Sequence, residues 1–259
     1  MHLSVSISSE ISNHFENHIK DNPTDYVCVY GSSVYSPEKI TSDVDMFIVT
    51  HGAGKIALSP FVEFIRDLHH RHGRKLDAEV PYENKVHYRH TELESAIQLG
   101  GFIVEGSKVI VPPIRKEADF LNSPEIKARL ALNGLTTPHA VIGKNFSQYH
   151  VSRERSGEAI TLLAIGLIDD EEFVINNLHE ALTADRLGAS GEMYLGYKTE
   201  YPLVREHLFG VLNGALDRLT KQSIIQSTNQ GYIVNKADFD PLGYLKSTMP
   251  DNNSAVISP

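Results

Sequence analysis

The sequence lacks the features of a secreted or membrane-spanning protein. A single cysteine, Cys28, among 259 residues excludes a framework of internal disulfides, and its apolar surroundings favour a buried structural thiol. No apolar run reaches about 18 residues, so no transmembrane helix is predicted. The N-terminus also lacks the basic segment and long apolar stretch of a secretory signal. We therefore expect a cytoplasmic protein with no membrane partner.

The sequence also lacks an excess of basic residues. It has 24 Lys and Arg against 33 Asp and Glu, which gives a net charge of -9. Proteins that grip tRNA or DNA usually display a basic face, so the charge argues against nucleic acid as a partner. The acidity is compatible with a cationic small molecule such as an amino sugar. A hydrophobic content of 41% at this length is enough for a full core in one or two domains.

What the sequence does contain is a Gly-Ser turn followed, after ten residues, by two carboxylates. Gly31 and Ser32 follow an apolar, strand-like run, and Asp43 and Asp45 flank Val44 at the start of another. Successive side chains of a strand alternate between its faces, so both carboxylates are predicted to share one face. At about 4 Å and an effective dielectric near 20, two bare carboxylates repel by roughly 4 kcal/mol. The pattern therefore predicts a cation between them, as in a site for a nucleoside triphosphate on magnesium.

A third carboxylate follows a helix predicted over residues 60–71. Residues 75–80 have the pattern of a strand on which Asp77 and Glu79 alternate outward on one face. Either of the two could complete a three-carboxylate metal site with the acidic pair.

These residues resemble the signature of the nucleotidyltransferase superfamily, which includes DNA polymerase beta, the antibiotic adenylyltransferases and the minimal nucleotidyltransferases of toxin–antitoxin pairs. That signature is Gly-Ser, about ten residues, Asp-x-Asp within a strand and a further acidic residue between apolar ones. The resemblance covers about the first 115 residues. Its positions in this chain are Gly31, Ser32, Asp43, Asp45 and either Asp77 or Glu79.

The resemblance implies a role for each of these residues. The Asp-x-Asp pair would bind the magnesium ions that bridge the triphosphate of ATP, the expected substrate. Backbone amides at Gly31 and Ser32 would bind its terminal phosphates, because Gly31 has no side chain to hold them off. The third carboxylate would bind metal at the reacting phosphorus and take the proton of the acceptor hydroxyl. Its Glu-Val context favours Glu79 for this role, with Asp77 as the alternative.

Other candidate residues lie outside the signature. We assign Ser42, next to the acidic pair, and Lys144, in a Gly-Lys-Asn turn, to nucleotide binding. His69, His70 and His72 lack partner cysteines, so a solvated helix end is favoured over a zinc site.

Two charged groups in the second half have a functional and a structural interpretation. Arg153 and Arg155 could reach a triphosphate, but a solvated helix start is favoured. The acidic run 169–172 could dock a cationic acceptor, but acidic residues also favour helix N-termini. We therefore predict a helix over residues 171–187, with Asp169 as its N-cap and Glu172 three residues on.

The predicted fold class is α+β, a small mixed sheet with helices followed by an α-helical C-terminal domain. Because Pro112 and Pro113 mark a boundary, we expect a nucleotidyltransferase domain at 1–113 and a helical domain at 114–246. Residues 247–259 are small and polar and are expected to form a disordered tail. Before the prolines, a helix is predicted over residues 91–99, followed by a hairpin of the apolar segments 102–104 and 109–111. In the helical part, Gly134 is predicted to stop the first helix, and a regular apolar stripe over 203–219 predicts a core helix.

The leading hypothesis is magnesium-dependent transfer of a nucleoside monophosphate to a hydroxyl of a small molecule, by analogy with the antibiotic adenylyltransferases. A protein or a tRNA end is the alternative acceptor, as in some toxin–antitoxin systems. A hypothesis of another class is a non-catalytic nucleotide-binding module. Such a module is expected to lose a carboxylate, whereas this sequence keeps all three positions.

Overall fold

The computed structural model describes residues 5–21, 24–36, 43–51, 59–75, 87–105, 108–112, 124–143, 146–187 and 195–247. Strands and helices alternate through the first half, and long helices predominate in the second. The elements are α1 (Val5–Asp21), β1 (Thr24–Tyr30), α2 (Ser32–Tyr35), β2 (Asp45–Thr50), α3 (Ser59–Arg71), β3 (His87–Arg89), α4 (His90–Leu99), β4 (Ile103–Glu105), β5 (Lys108–Ile110), α5 (Pro124–Thr136), β6 (Ala140–Gly143), α6 (Phe146–Leu167), β7 (Glu172–Phe173), α7 (Ile175–Ala181), α8 (Pro202–Lys221), β8 (Gln226–Ser227), β9 (Tyr232–Ile233) and α9 (Pro241–Ser247).

A mixed four-stranded sheet in the order β3-β2-β1-β6 lies at the centre of the fold. Strand β1 is antiparallel to both of its neighbours, and β2 is parallel to β3. All seven residues of β1 are buried. A strand that is covered on both faces has a continuously apolar sequence, which is why residues 26–30 show little alternation in hydrophobicity. The predicted α+β class with a small mixed sheet is confirmed.

The two faces of the sheet belong to two apolar clusters. Val27 and Val29 face a cluster that includes residues of α1 and α3. Tyr26, Cys28 and Tyr30 point the other way, into a cluster shared with α5, α6 and α8. Cys28 is fully buried, as predicted, and burial raises its pKa well above the usual range for a thiol.

Strand β6 reaches the sheet from beyond the proline pair at residues 112 and 113. Its residues Ala140–Gly143 pair with β1 from Val29 to Tyr26. The second half of the chain therefore completes the sheet of the first half. The division into domains at 113 and 114 stays a prediction, and residues 248–259 of the expected tail lie outside the described residues.

Several elements match the sequence predictions closely. Helices α3 and α4 cover the ranges expected at 60–71 and 91–99, and β4 and β5 form the expected antiparallel hairpin. Helix α8 contains the predicted stripe, with Leu208, Leu212 and Leu219 fully buried. These elements depend on local periodicity, which the sequence shows directly.

The start of the helix predicted over residues 171–187, with Asp169 as N-cap, is wrong, although a helix lies within that range. Glu172–Phe173 is a short strand, β7, that pairs with β9, and Phe173 is buried. Helix α7 begins only at Ile175, where the Asn177 side chain accepts a hydrogen bond from the Val174 amide at 2.9 Å. Pairing with β9, about sixty residues away along the chain, outweighs the local capping pattern.

Helix α5 does not stop at Gly134, as predicted, but continues to Thr136. Gly134 lies against the sheet, and a Cβ atom there would be 2.6 Å from Cε1 of Phe47 and 3.1 Å from Cδ1 of Tyr30. The glycine therefore permits a close approach of α5 to β1 and β2.

This close approach predicts opposite effects for one substitution at two helical glycines. Gly134→Ala should destabilise the protein by about 1–3 kcal/mol, because the added methyl group overpacks the contact with Phe47. Gly210→Ala, at an exposed position of α8 with nothing within 4 Å of its Cβ position, should instead stabilise it by about 0.5–1 kcal/mol. Urea unfolding of both variants measures the difference. Equal stabilisation by the two would contradict the close approach.

Candidate functional site

The Gly-Ser turn and the acidic pair converge on one cavity of about 260 Å³. The turn comes from the end of β1, and the acidic pair lies at the start of β2, which is the neighbouring strand. The opposite wall comes from the second half of the chain. The described lining residues are Tyr30, Gly31, Ser32, Tyr35, Asp43, Asp45, Leu130, Asn133, Thr137, Gly196, Tyr197, Lys198 and Val204.

Gly31 joins the turn to the acidic pair. Its φ angle is +80°, in the region that favours glycine, and a Cβ atom there would lie 2.1 Å from Oδ2 of Asp45. Tyr30 and Asp45 are direct partners in the β1–β2 ladder, which brings the turn and the carboxylate to the same level of the sheet. Glycine at this position therefore makes room for Asp45, in addition to any ligand that approaches the backbone.

Asp43 and Asp45 both line the cavity and are partly exposed, whereas Val44 between them is fully buried. This is the alternation expected of a strand, although β2 as such begins only at Asp45. Helix α2 follows the turn directly, and the Gly31 carbonyl accepts the Val34 amide at 3.0 Å.

The histidine cluster differs from its prediction at one position. His69, expected at a solvated helix end, is fully buried in α3. Its Nε2 accepts the backbone N–H of Val44 at 2.9 Å, and its Nδ1 donates to the carbonyl of Ile65 at 2.7 Å. Burial lowers the pKa of His69, opposed by the bond to Ile65 and by the charge of Asp43.

The neighbouring histidines have other surroundings. His70 is exposed, as expected of a helix end, and His72 Nε2 lies 2.8 Å from Oε1 of Glu10 on α1. Within the described ranges, no group of three or more His, Cys, Asp or Glu side chains is arranged to hold a metal ion.

Four of the predicted site residues lie outside the described residues. These are the alternatives for the third carboxylate, Asp77 and Glu79, and the two nucleotide-binding candidates, Ser42 and Lys144. Their assignments stay predictions. The described part of the site therefore holds two of the three expected carboxylates.

Sequence reasoning missed the wall formed by the second half. Asn133 and Thr137 come from the end of α5, and residues 196–198 come from the loop before α8. Lys198 is the one basic side chain among the described lining residues. The segment around Lys198 has no periodicity or motif, so only the tertiary structure shows that this lysine lines the cavity.

Tyr197 holds the Lys198 segment in place. Its backbone N–H donates to the Leu182 carbonyl at 2.9 Å, and its carbonyl accepts the Ala184 amide at 3.1 Å. The Tyr197 side chain is buried, and its hydroxyl bonds to that of Thr136 on α5. The loop that carries the lysine is therefore anchored to the backbone that follows α7 and, through the Tyr197 side chain, to α5.

Tyr35 adds a hydroxyl to the cavity beside Asp45. Burial, together with the nearby charge of Asp45, raises the pKa of Tyr35 to about 12. The hydroxyl therefore stays protonated at neutral pH and can donate a hydrogen bond. The Tyr35 ring also contacts that of Tyr201, with centroids 5.2 Å apart.

The charged groups of the second half lie elsewhere. Arg155 forms a mostly buried ion pair with Glu94, at 2.8 Å, and Arg153 lines a separate groove between α6 and α8. The acidic run starting at Asp169 lies near Lys236, whose ammonium group bonds to the carbonyl of Ile168 at 2.7 Å. None of these residues is among those that line the cavity of the acidic pair.

Comparisons with known proteins add no relative to this description. No family model, no curated protein and no solved structure matches the chain. Among the helices of the described ranges, none is long and apolar enough to cross a membrane.

The contact of Gly31 with Asp45 predicts an energetic coupling between the two positions. Gly31→Ala should destabilise the protein more than Gly73→Ala, because Gly31, with φ +80° and ψ −170°, has a conformation almost confined to glycine and also faces a collision. Such a backbone conformation alone costs about 1–3 kcal/mol. In an Asp45→Ala background the part of the excess that comes from the collision should disappear, with a coupling energy of about 0.5–3 kcal/mol. A double-mutant cycle in urea measures it, and strict additivity would contradict the contact.

Proposed function

We propose that this protein is a magnesium-dependent nucleotidyltransferase that moves a nucleoside monophosphate from ATP to a hydroxyl of a small molecule. The observation that carries the proposal is the convergence of the Gly-Ser turn and the acidic pair on one cavity, with Gly31 directly against Asp45. Two motifs ten residues apart along the chain thereby become one site. Their order and spacing resemble the nucleotidyltransferase signature.

The donor set fits magnesium. Mg²⁺ prefers carboxylate oxygens and is usually held by one or two carboxylates together with substrate phosphates. Asp43 and Asp45 offer such oxygens on the cavity wall and remain partly exposed to a ligand. Glu79, or Asp77 in its place, is the proposed third carboxylate.

The proposed reaction forms a bond between the acceptor oxygen and the α-phosphorus of ATP. The bond from that phosphorus to the oxygen that bridges it to the β-phosphorus breaks, and pyrophosphate leaves with the electron pair. The acceptor proton passes to the third carboxylate. Magnesium, held by Asp43 and Asp45, would neutralise the charge that develops on the phosphate oxygens.

The remaining described residues of the cavity have binding roles in this proposal. Ser32 donates its hydroxyl and backbone N–H to phosphate oxygens at the turn. Lys198 faces the cavity from the opposite wall and supplies a positive charge to the same triphosphate. Lys144, the candidate from sequence, stays a second possibility for this charge.

The metal role of the acidic pair predicts loss of transfer in Asp45→Asn. The amide cannot bind Mg²⁺ as a charged ligand, so turnover should fall by about 100-fold or more while the fold is retained. Asp217→Asn, at an exposed position of α8 where Asp217 pairs with Lys221 at 2.6 Å, is the matched control and should leave turnover unchanged.

Mass spectrometry for an added nucleoside monophosphate on small molecules, proteins and RNA measures this transfer and identifies the acceptor class. Transfer at the wild-type rate by folded Asp45→Asn would overturn the proposed metal role. Labelling of RNA or protein alone would replace the small-molecule acceptor with the alternative.

The position of Lys198 predicts a selective effect on triphosphate binding. Lys198→Met should raise KM for ATP by about 10–100-fold, because a hydrogen bond from a charged group contributes about 1.5–3 kcal/mol. Lys221→Met, which removes an exposed lysine from α8, is the control. Initial rates over a range of ATP concentrations at saturating magnesium measure KM. An unchanged KM in Lys198→Met would exclude this lysine from the triphosphate site.

A further inference from the structure

The C-terminal end of α3 lies against the backbone of the acidic pair. The backbone N–H of Val44 donates to Nε2 of His69 at 2.9 Å, and both residues are fully buried. Because a backbone amide can only donate, Nε2 must be unprotonated. The proton is therefore on Nδ1, which donates to the Ile65 carbonyl at 2.7 Å. The two bonds fix both the tautomer and the orientation of the ring.

The sheet does not hold this part of the chain. The ladder between β1 and β2 begins at the pair Tyr30 and Asp45, so Asp43 and Val44 lie beyond it. The bond from Val44 to His69 connects the backbone of this segment to α3, and the Val44 side chain packs in the same apolar cluster as residues of α3. The bond acts on the residue between the two carboxylates and so affects the direction of both.

The helix end that carries His69 is itself well fixed. Gly73, with a φ of +61°, ends α3 in a Schellman motif in which the Arg74 amide donates to the His69 carbonyl at 2.8 Å. Arg71 and His72 both lie 2.8 Å from carboxylate oxygens of Glu10 on α1. The helix end that carries the imidazole is therefore held by its cap and by these contacts with α1.

We infer that His69 is a positioning residue, which holds the Val44 backbone so that Asp43 and Asp45 present their carboxylates to one metal-bound triphosphate. The inference rests on the proposed function. His69 does not line the cavity and acts through the backbone, in the way that residues behind metal ligands orient them.

Two substitutions of His69, by glutamine and by asparagine, distinguish the positioning role from a role in packing alone. A glutamine places its terminal oxygen where Nε2 of the imidazole lies and can accept the Val44 amide. An asparagine is one bond shorter and reaches only the position of Nδ1, so it keeps a donor for Ile65 and loses the bond to Val44. His70→Gln, on the exposed neighbour, is the control.

The readout is binding of Mn²⁺ with a non-hydrolysable ATP analogue, measured by electron paramagnetic resonance and by calorimetry, with folding checked by circular dichroism. His69→Asn should weaken Mn²⁺ binding by about 10–100-fold, and His69→Gln and His70→Gln should retain most of it. Equal binding by wild type and folded His69→Asn would overturn the positioning role alone. No binding of Mn²⁺ by the wild type would overturn the proposed function as well.

A second measurement on the intact protein needs no variant. A two-bond ¹H–¹⁵N spectrum of the histidine rings should show His69 as the Nδ1–H tautomer. The Val44 amide should exchange slowly with solvent, although it lies outside the ladder. An Nε2–H tautomer, or fast exchange at Val44, would overturn the inference.

Discussion

Burial of β1 on both faces is the constraint on which the rest of the structure depends. The strand pairs with β2 on one edge and β6 on the other, and its side chains alternate between two apolar clusters. Such a strand has almost no freedom to shift, because a slip of one residue would move every side chain to the other face. The end of β1 is therefore fixed in space. This also fixes the Gly31 turn that follows it and Asp45, which pairs with Tyr30 in the ladder.

The candidate site lies at the end of this strand, and different contacts hold its residues in place. Sheet pairing fixes Asp45, and the end of α3 fixes the backbone of Val44 through His69. The opposite wall, with Lys198, is held by the buried Tyr197. A buried N–H without a partner costs about 1–3 kcal/mol, so a bond such as that to His69 is hard to lose without local rearrangement. Of these supports, His69 is not among the residues that line the cavity, and it acts only through the backbone of Val44.

Two other ion pairs with mostly buried carboxylates stabilise packing between helices. Glu94 on α4 pairs with Arg155 on α6, and Glu158 on α6 pairs with Arg218 on α8 at 2.7 Å. Each pair joins two helices of the same apolar cluster, and losing one partner would leave a mostly buried carboxylate without its counter-charge. These two ion pairs connect helices, whereas Asp43 and Asp45 line the cavity at the end of the sheet.

The sequence by itself determined whatever depends on neighbours along the chain. Periodicity located α3, α4, α8 and the β4–β5 hairpin, and the spacing of the Gly-Ser turn from the acidic pair identified four residues of one cavity wall, Gly31, Ser32, Asp43 and Asp45. Only the tertiary structure decided the contacts between distant segments. These include β6 joining the sheet, β7 replacing the predicted start of a helix, His69 turning inward and Lys198 reaching the cavity. A histidine at a helix end or a lysine in a loop has the same local pattern whether it faces water or a site, because burial is set by segments that the local sequence does not contain.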